Sequence, residues 1–229
     1  MSSDPYPGIL ALMRTALQTA DRQAPPVSEI ANPVITLSRD EGSNGDEIAT
    51  MLAGRLHIEC YDYEILDTIA KRTHANPALV SQLDELIYDP RGLWLYGAIV
   101  GLDLSQDTFH RHLINVICGL ALFGGVIIGR GGHLILANQA TLKLRIVGSA
   151  DVCAARIAER RGIDLKEAQD TAREANEARD RFLQHHFNHS RDDPKTYDIV
   201  LNTDRFQSIP AAVDFLEAAI KARQETEKA

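Results

Sequence analysis

A chain of 229 residues, 45% hydrophobic and 24% charged, is long enough for a large α/β domain or for a domain with an appendage, and apolar enough to bury a core. Its formal net charge of -8 at pH 7 excludes a general nucleic-acid or anionic-membrane surface, but not an anionic ligand that responds to a local field. Cys60, Cys118 and Cys153 lack metal-type spacing, and neither a basic-apolar leader nor an unbroken span-length apolar run is present, so a cytoplasmic chain with reduced thiols is expected.

Residues 1–32 read as an N-terminal helix, "YPGILALMRTALQTADRQ", and a Pro-rich linker, "APPVSEIANP". This tethered element is a candidate for docking on the core or for homodimer formation. From Pro33 the pattern alternates. "PVITL" is a β-rich run, and residues 45–56 form a helix with Ile48, Met51, Leu52 and Leu56 on one stripe. "HIECYD" is a short strand. "YEILDTIAKR" and "NPALVSQLDELI" are helices, the second opening with Asn76 and Pro77, and a further helical stretch lies around "LWLYGAIVG". A long helix is expected from about Ser105 to Phe123. "GVIIG" and "LKLRIVG" are continuous β-branched runs of the kind found in strands covered on both faces. Two helices, "SADVCAARIAERR" and "LKEAQDTAREANEARDRFLQHHF", precede a last strand, "YDIVLNT", and a last helix that opens at Ser208.

Strands that alternate with helices in this way predict a parallel sheet with helices on both faces. In such folds ligands bind beyond the carboxyl ends of the strands. Three segments meet that condition: Ser38 to Glu47, Asp62 to Glu64, and Gly129 to His133.

In the first segment, Gly42, Ser43, Asn44 and Gly45 precede a helix, and their backbone N–H groups could cradle a phosphate at the positive end of the helix dipole. A plain β-to-α turn uses the same residue types. Asp46 and Glu47 stabilise the first helical turn but repel a phosphate, unless Mg²⁺ sits between Glu47 and the anion. Arg130, just past a buried strand, either faces the crevice or pairs with a strand-end acid such as Asp62. Arg156 and Arg160 share a helical face, and Arg179 lies near the face of Arg173 and Asn176. The two helices they occupy, joined by "RGID", could close on a polyphosphate as a lid, although a solvated charged face would have a similar composition. His185, His186 and His189 have zinc-compatible spacing without cysteines, and read better as histidines flanking that lid than as a metal site. No nucleophile elbow or G-x-G-x-x-G fingerprint is present.

These segments resemble, in order, the cytidylate-kinase-like family of P-loop proteins. "ITLSRDEGSNGDEIATMLAGRLHIECYDYEILDTIAKR" is similar to the family's S-R-x-x-G-S-G-G-R-E-I-A loop and the Y-D-x-E segment that follows it. "VIIGRGGHLIL" is similar to its V-I-V-G-R strand-end motif, and "DIVLNTDRFQSIPAAVDFL" to its closing strand and helix. The resemblance implies a three-layer α/β/α fold over residues 33–226, with a central parallel five-stranded sheet of nucleoside-monophosphate-kinase type and a helical lid at about 155–195. It implies an ATP-dependent phosphotransferase that uses Mg²⁺ with ATP and a small acceptor, a nucleoside monophosphate such as CMP. Arg39, Gly42, Ser43, Asn44, Gly45 and Glu47 would hold the nucleotide. Asp62, Glu64 and Arg130 would border the acceptor, and Arg130, Arg156, Arg160 and Arg179 would neutralise the transferring group, which is most of what phosphoryl transfer requires.

The chain also departs from the pattern. Gly45 and Glu47 stand where cytidylate kinases carry the Walker Lys and Thr, Asp46 stands where this branch has Arg, and Gly131 where cytidylate kinases have Asp. "DYEILDT" lacks the Ser and Arg that hold cytidine monophosphate. A second reading follows, in which the fold is catalytically degenerate and serves as a nucleotide-binding regulatory or protein-interaction module.

Overall fold

The computed structural model describes residues 32–62 and 108–227. The expected N-terminal helix and linker, and the elements expected between Tyr63 and Gly101, lie outside them. Internal contacts divide the chain into two compact units, one of Met1–Ala31 with Glu64–Phe123, the other of Asn32–Tyr63 with Gly124–Ala229.

In the second unit β1 (Val34–Arg39) leads through a tight loop into α1 (Gly45–Leu56) and then into the two-residue β2 (Cys60–Tyr61). The first unit contributes α2 (Thr108–Ala121), whose buried Leu113, Val116, Ile117 and Leu120 recur at helical spacing. The second unit resumes with β3 (Gly125–Ile128), a four-residue helix α3 (Gly132–Ile135) and β4 (Leu142–Val147). A helical hairpin follows, α4 (Ala150–Arg161) and α5 (Leu165–Phe187), and then β5 (Ile199–Asn202) and α6 (Ile209–Glu227). The expected alternation is present. Among the described residues α3 and two three-residue 3-10 turns, Pro194–Thr196 and Thr203–Arg205, were not anticipated, because so few residues show no helical period.

The five strands form one sheet in the order β2-β3-β1-β4-β5, and every pairing is parallel. β1 is central. The chain leaves it towards the β2 edge and leaves β4 towards the β5 edge, so the carboxyl ends of β1 and β4 open where connections diverge, the usual place for a ligand.

Strand period 2 sorts the side chains. Ile35 and Leu37 of β1, Val126 and Ile128 of β3, and Leu142, Leu144 and Ile146 of β4 join one buried cluster. Ile48 and Leu52 of α1 and Val213, Leu216 and Ile220 of α6 pack into it, which places both helices on this face. The alternate positions, Thr36, Ser38 and Arg145, are buried on the opposite face. That face is mixed, since Val34 and Ile127 are buried on it as well, and α3 lies against it: a Cβ added at Gly132 would be 3.2 Å from Ile127 and 3.6 Å from Thr36.

α4 and α5 pack through a small cluster of their own, Ala154, Ile157, Ala168 and Ala172. Gly162 closes α4 in the left-handed region (φ 66°), and Asp164 caps α5 by accepting the Glu167 N–H at 2.9 Å. "RGID" is therefore a C-cap followed by an N-cap, and the chain reverses there for local reasons.

No helix among the described residues is long and apolar enough to cross a membrane. Burial pushes the thiols of Cys60 and Cys153 up to about 11, so both are protonated at neutral pH.

His133 of α3 is 4% exposed, stacks on Tyr197 with ring centroids 4.6 Å apart, and its Nε2 has no hydrogen-bond partner. Burial lowers its pKa to about 3. The folded chain thus keeps this imidazole neutral while the unfolded chain protonates it below about pH 6.5, so its contribution is intact above that pH and is lost as pH falls towards 3. His133→Phe keeps the ring stack and removes the proton. Its stability relative to the parent is expected to rise by up to about 1.4 kcal/mol per pH unit below pH 6, measured by urea denaturation across pH. Parallel pH profiles for the two proteins would refute this.

Candidate functional site

The loop from Asp40 to Asn44 is bent by local chemistry. Gly42 (φ 81°) and Asn44 (φ 62°) both occupy the left-handed region, which Gly and Asn tolerate best. A Cβ at Gly42 would sit 2.5 Å from the Cys153 carbonyl oxygen, so the loop also presses against α4. Ser43 is fully buried, and its Oγ donates to the Asp40 carbonyl at 2.8 Å, so here the hydroxyl braces the loop. Thr203 Oγ1, at the end of β5, donates to the Ser43 carbonyl at 3.0 Å. Asn44 makes no side-chain cap, and the first intrahelical bond runs from Ile48 N–H to its carbonyl at 2.9 Å. The first-turn N–H groups of Gly45, Asp46 and Glu47 are thus directed out of the helix N-terminus, as an anion site requires.

All four acids around the loop engage arginines, six of them: Asp40 with Arg145 and Arg191, Glu41 with Arg161 and Arg179, Asp46 with Arg39, and Glu47 with Arg160. Arg145 Nη2 lies 2.7 Å from Asp40 Oδ1, and Arg191 Nη1 lies 3.2 Å from the same oxygen. Both guanidinium groups are buried. Arg191 also spans the two oxygens of Asp180 at 2.8 and 3.3 Å. Asn176 Oδ1 accepts from the Glu41 N–H at 2.9 Å, from Arg191 at 3.1 Å and from Arg179 at 3.2 Å, so one amide oxygen ties the middle of α5 to the loop.

The residues singled out from sequence do not all point the same way. Arg156 donates to Thr203 Oγ1 at 2.9 Å and to the Thr203 carbonyl at 3.1 Å, and approaches the Gly42 carbonyl at 3.5 Å. Arg160 bonds Glu47 and, at 3.1 Å, Asn44 Oδ1, while Arg179 holds Glu41 at 2.7 Å. Gly42, Asn44, Gly45, Glu47, Arg156, Arg160 and Arg179 are thus gathered around one loop. Arg130, in a left-handed turn (φ 48°), lies with its guanidinium 4.6 Å over the Phe182 ring of α5, a cation–π contact that sequence did not suggest. Asp62 follows β2, and Glu64 lies outside the described residues. Arg145 and Arg191 were missed. Arg145 sat inside a run read as an apolar strand, and only a charge at a strand position facing away from the apolar core could have flagged it.

Arg39 explains the missing lysine. It is 5% exposed, its Nε donates to Asp46 at 2.9 Å, and burial lowers its pKa against the opposing pull of Asp46. A Cβ at Gly45 would come within 2.5 Å of Arg39 Cβ, and one at Gly129 within 3.2 Å of its Nη1. The arginine therefore fills the space that a side chain at position 45 would need.

Beside the loop lies a pocket of about 230 Å³ lined by Asn44 and Ile48 of α1, Arg156 of α4, and Thr203, Phe206, Gln207, Ser208, Ile209 and Ala212 from β5 into α6. Drug-sized ligands occupy roughly 300–1,000 Å³, so this pocket suits a fragment such as a single ring system. It offers apolar walls, hydroxyl and amide edges, and a planar guanidinium. Among the described residues no group of three or more His, Cys, Asp or Glu is arranged to hold a metal ion, and His185 and His186 instead meet edge to face at 4.7 Å.

A central parallel sheet, an acid- and glycine-bearing loop opening a helix after β1, and an arginine-bearing hairpin define a P-loop kinase-like α/β fold of the nucleoside-monophosphate-kinase type. The chain belongs to the cytidylate kinase-like family, whose profile matches residues 34–205, and with it to the kinase-type phosphotransferases. A crystal structure of an uncharacterized protein from Eubacterium ventriosum is similar at TM-score 0.62 and 22% identity, covering 83% of this chain and 99% of that one. A shikimate kinase from Bacteroides thetaiotaomicron aligns at TM-score 0.46 and 16% identity over 82% and 98% of the two chains. The protein TT1252 from Thermus thermophilus aligns at 0.42 and 15% over the same shares. No curated protein sequence matches the chain.

Restoring the lysine tests the Arg39 packing. Gly45→Lys is expected to destabilise the fold by about 1–3 kcal/mol through overpacking, and Arg39→Gly, which removes the Cβ and Cγ it would strike, to relieve much of that cost in the double variant. Strict additivity in urea-denaturation midpoints would show that the two positions do not compete for space.

Proposed function

We propose that the protein is an ATP-dependent phosphotransferase acting on a small acceptor, with nucleoside monophosphates such as CMP the first class to test. The observation that carries this reading is the pocket of about 230 Å³ immediately beside the loop, with Arg156 between them, reaching Thr203 on one side and Gly42 on the other. A triphosphate lying on the α1 N-terminus would place its base there, against Ile48, Phe206 and Arg156. Family membership supports the reaction class.

In this reading Gly42, Asn44 and Gly45 give the triphosphate its backbone amides. Arg156, Arg160 and Arg179, already grouped on the hairpin, spread positive charge over the transferring group, a contribution that is electrostatic and positional. When bound, Mg²⁺ would neutralise phosphate charge. The donors present fit an ion held mainly by phosphate and water oxygens, with Glu47, in the first turn of α1, as the one candidate carboxylate. Asp62 and Arg130 are the candidates for the acceptor side. Because Asp62 follows an edge-strand residue and Arg130 lies in the turn after the neighbouring strand, the acceptor would lie towards the β2–β3 side of the loop. The setting is a cytoplasmic one, where ATP is abundant.

The loop chemistry favours one rival, a kinase fold that binds nucleotide without transferring phosphate, because Gly45 and Glu47 replace the usual Lys and Thr. Binding and turnover separate the two. Saturating Mg-ATP at 100 times its dissociation constant should add about 2.7 kcal/mol, a melting-temperature rise of roughly 5–10 °C for a chain of this size. ATP should also bind at least tenfold tighter than inorganic tripolyphosphate, and Gln207→Trp, which fills the pocket, should erase that preference. ADP formation dependent on a nucleoside monophosphate would establish transfer. Binding without ADP formation would favour the rival, and a flat thermal response to triphosphates would overturn both.

A further inference from the structure

Glu41 is not part of the nucleotide reading developed above, yet like Asp40 it engages two arginines, and here both come from the arms of the hairpin. Its side chain is 18% exposed, with Oε1 accepting from Arg161 at 3.1 Å and Oε2 from Arg179 at 2.7 Å. Its backbone N–H is held by Asn176, which also accepts from Arg179. Arg161 closes α4 and Arg179 lies far along α5, so the two arms of the hairpin converge on one carboxylate. Two guanidinium groups directed at a pair of anionic oxygens form an arrangement that accepts a phosphoryl group as readily as a carboxylate.

The rest of the hairpin's attachment to the loop is polar too. Arg156 reaches Gly42, and Arg160 reaches Glu47 and Asn44. The apolar cluster of the hairpin, Ala154, Ile157, Ala168 and Ala172, joins α4 to α5 and includes no loop residue. Ion pairs and hydrogen bonds therefore hold the loop to these arms, together with the close packing of Gly42 on the Cys153 backbone, and the ion pairs among them can be exchanged for a more highly charged anion.

We infer that Glu41 is a resident counter-ion. It holds the place between Arg161 and Arg179 that a phosphate group of an incoming nucleoside triphosphate takes, and binding exchanges carboxylate for phosphate. This rests on the phosphate-binding reading of the loop and adds a regulatory element to it. The empty-handed hairpin is latched by Glu41, and an anion has to displace it. A carboxylate carries one charge where a terminal phosphate carries up to two, so the exchange runs towards the ligand, at the cost of moving Glu41 away from two arginines.

The test uses the full chain, with inorganic tripolyphosphate and Mg-ATP as probes. Glu41→Gln keeps the shape and removes the charge. It is expected to bind tripolyphosphate about tenfold tighter than the parent by calorimetry, because no like charge has to be expelled. Without any ligand, its amide hydrogen exchange across residues 165–187 should be faster than in the parent, since the latch is weakened. Glu41→Asp keeps the charge and withdraws it by one methylene, so it should fold on the same charge balance and fall between the two. Unchanged or weaker tripolyphosphate binding by Glu41→Gln, in a chain whose parent binds ATP, would overturn the latch and leave the nucleotide reading standing. Tighter tripolyphosphate binding with no preference for ATP and no ADP formed would sustain the latch and remove the nucleotide reading. If neither protein binds either probe, both fall.

Discussion

Two buried guanidinium groups share one oxygen of Asp40, and the arrangement of the second unit depends on that meeting. Arg145 comes from β4, Asp40 directly follows β1, and Arg191 follows α5, so one atom joins two adjacent strands to the segment that returns from the hairpin. A buried pair of this kind adds modestly to net stability, but losing one member leaves a charge without compensation, at about 3–5 kcal/mol. Arg191 is fixed a second time by the fork of Asp180, which sets where the chain leaves α5. The sheet face that carries Arg145 and Ser38 is consequently mixed, with the network at its carboxyl end and Val34 and Ile127 buried beside Thr36, while the opposite face takes the apolar core with α1 and α6.

The same logic accounts for a phosphate-type loop rich in acids. In isolation Asp40, Glu41, Asp46 and Glu47 would repel an anion. In the folded chain each of them gathers one or two arginines, so the loop is a site of concentrated and balanced charge. Position 45 is glycine because Arg39 packs beneath it, and the cation of the loop rises from the end of β1. The acids order the arginines, and under the proposed function those arginines are the groups that would meet a phosphate.

Function follows from where the sheet places these parts. The loop after β1, the Arg156 face of α4 and the turn after β5 meet at the carboxyl ends of adjacent parallel strands, and the small pocket lies among them. Arg130, in the turn after the neighbouring strand, lies over Phe182, so the hairpin meets the strand-end segments at the acidic loop, at the Gly-Arg-Gly turn and, through Arg156, at Thr203 after β5. Gly131 has to be glycine at that turn, since a Cβ there would strike the Phe187 ring at 2.4 Å in a backbone conformation already left-handed.

Much of this was legible in the sequence. Period-3.6 and period-2 patterns encode elements locally, so the strands, the caps at Gly162 and Asp164 and the loop of glycine and asparagine could be read from neighbours alone. Arg156 and Arg160 were recognisable as a pair because helical spacing relates residues on a single helix, whereas Arg179, on the other arm, joined them only through the family resemblance. Partners separated by a hundred residues were not: Asp40 and Arg145 are 105 apart, Glu41 and Arg179 138 apart. An arginine on a helix looks the same whether it will meet a phosphate, a carboxylate or water. The sequence by itself determined the elements, their order along the chain and the chemistry available at the strand ends. The tertiary structure alone decided the strand order β2-β3-β1-β4-β5, which acid each arginine meets, and why Gly45 stands where a lysine was expected, because those follow from distances in space that no local pattern records.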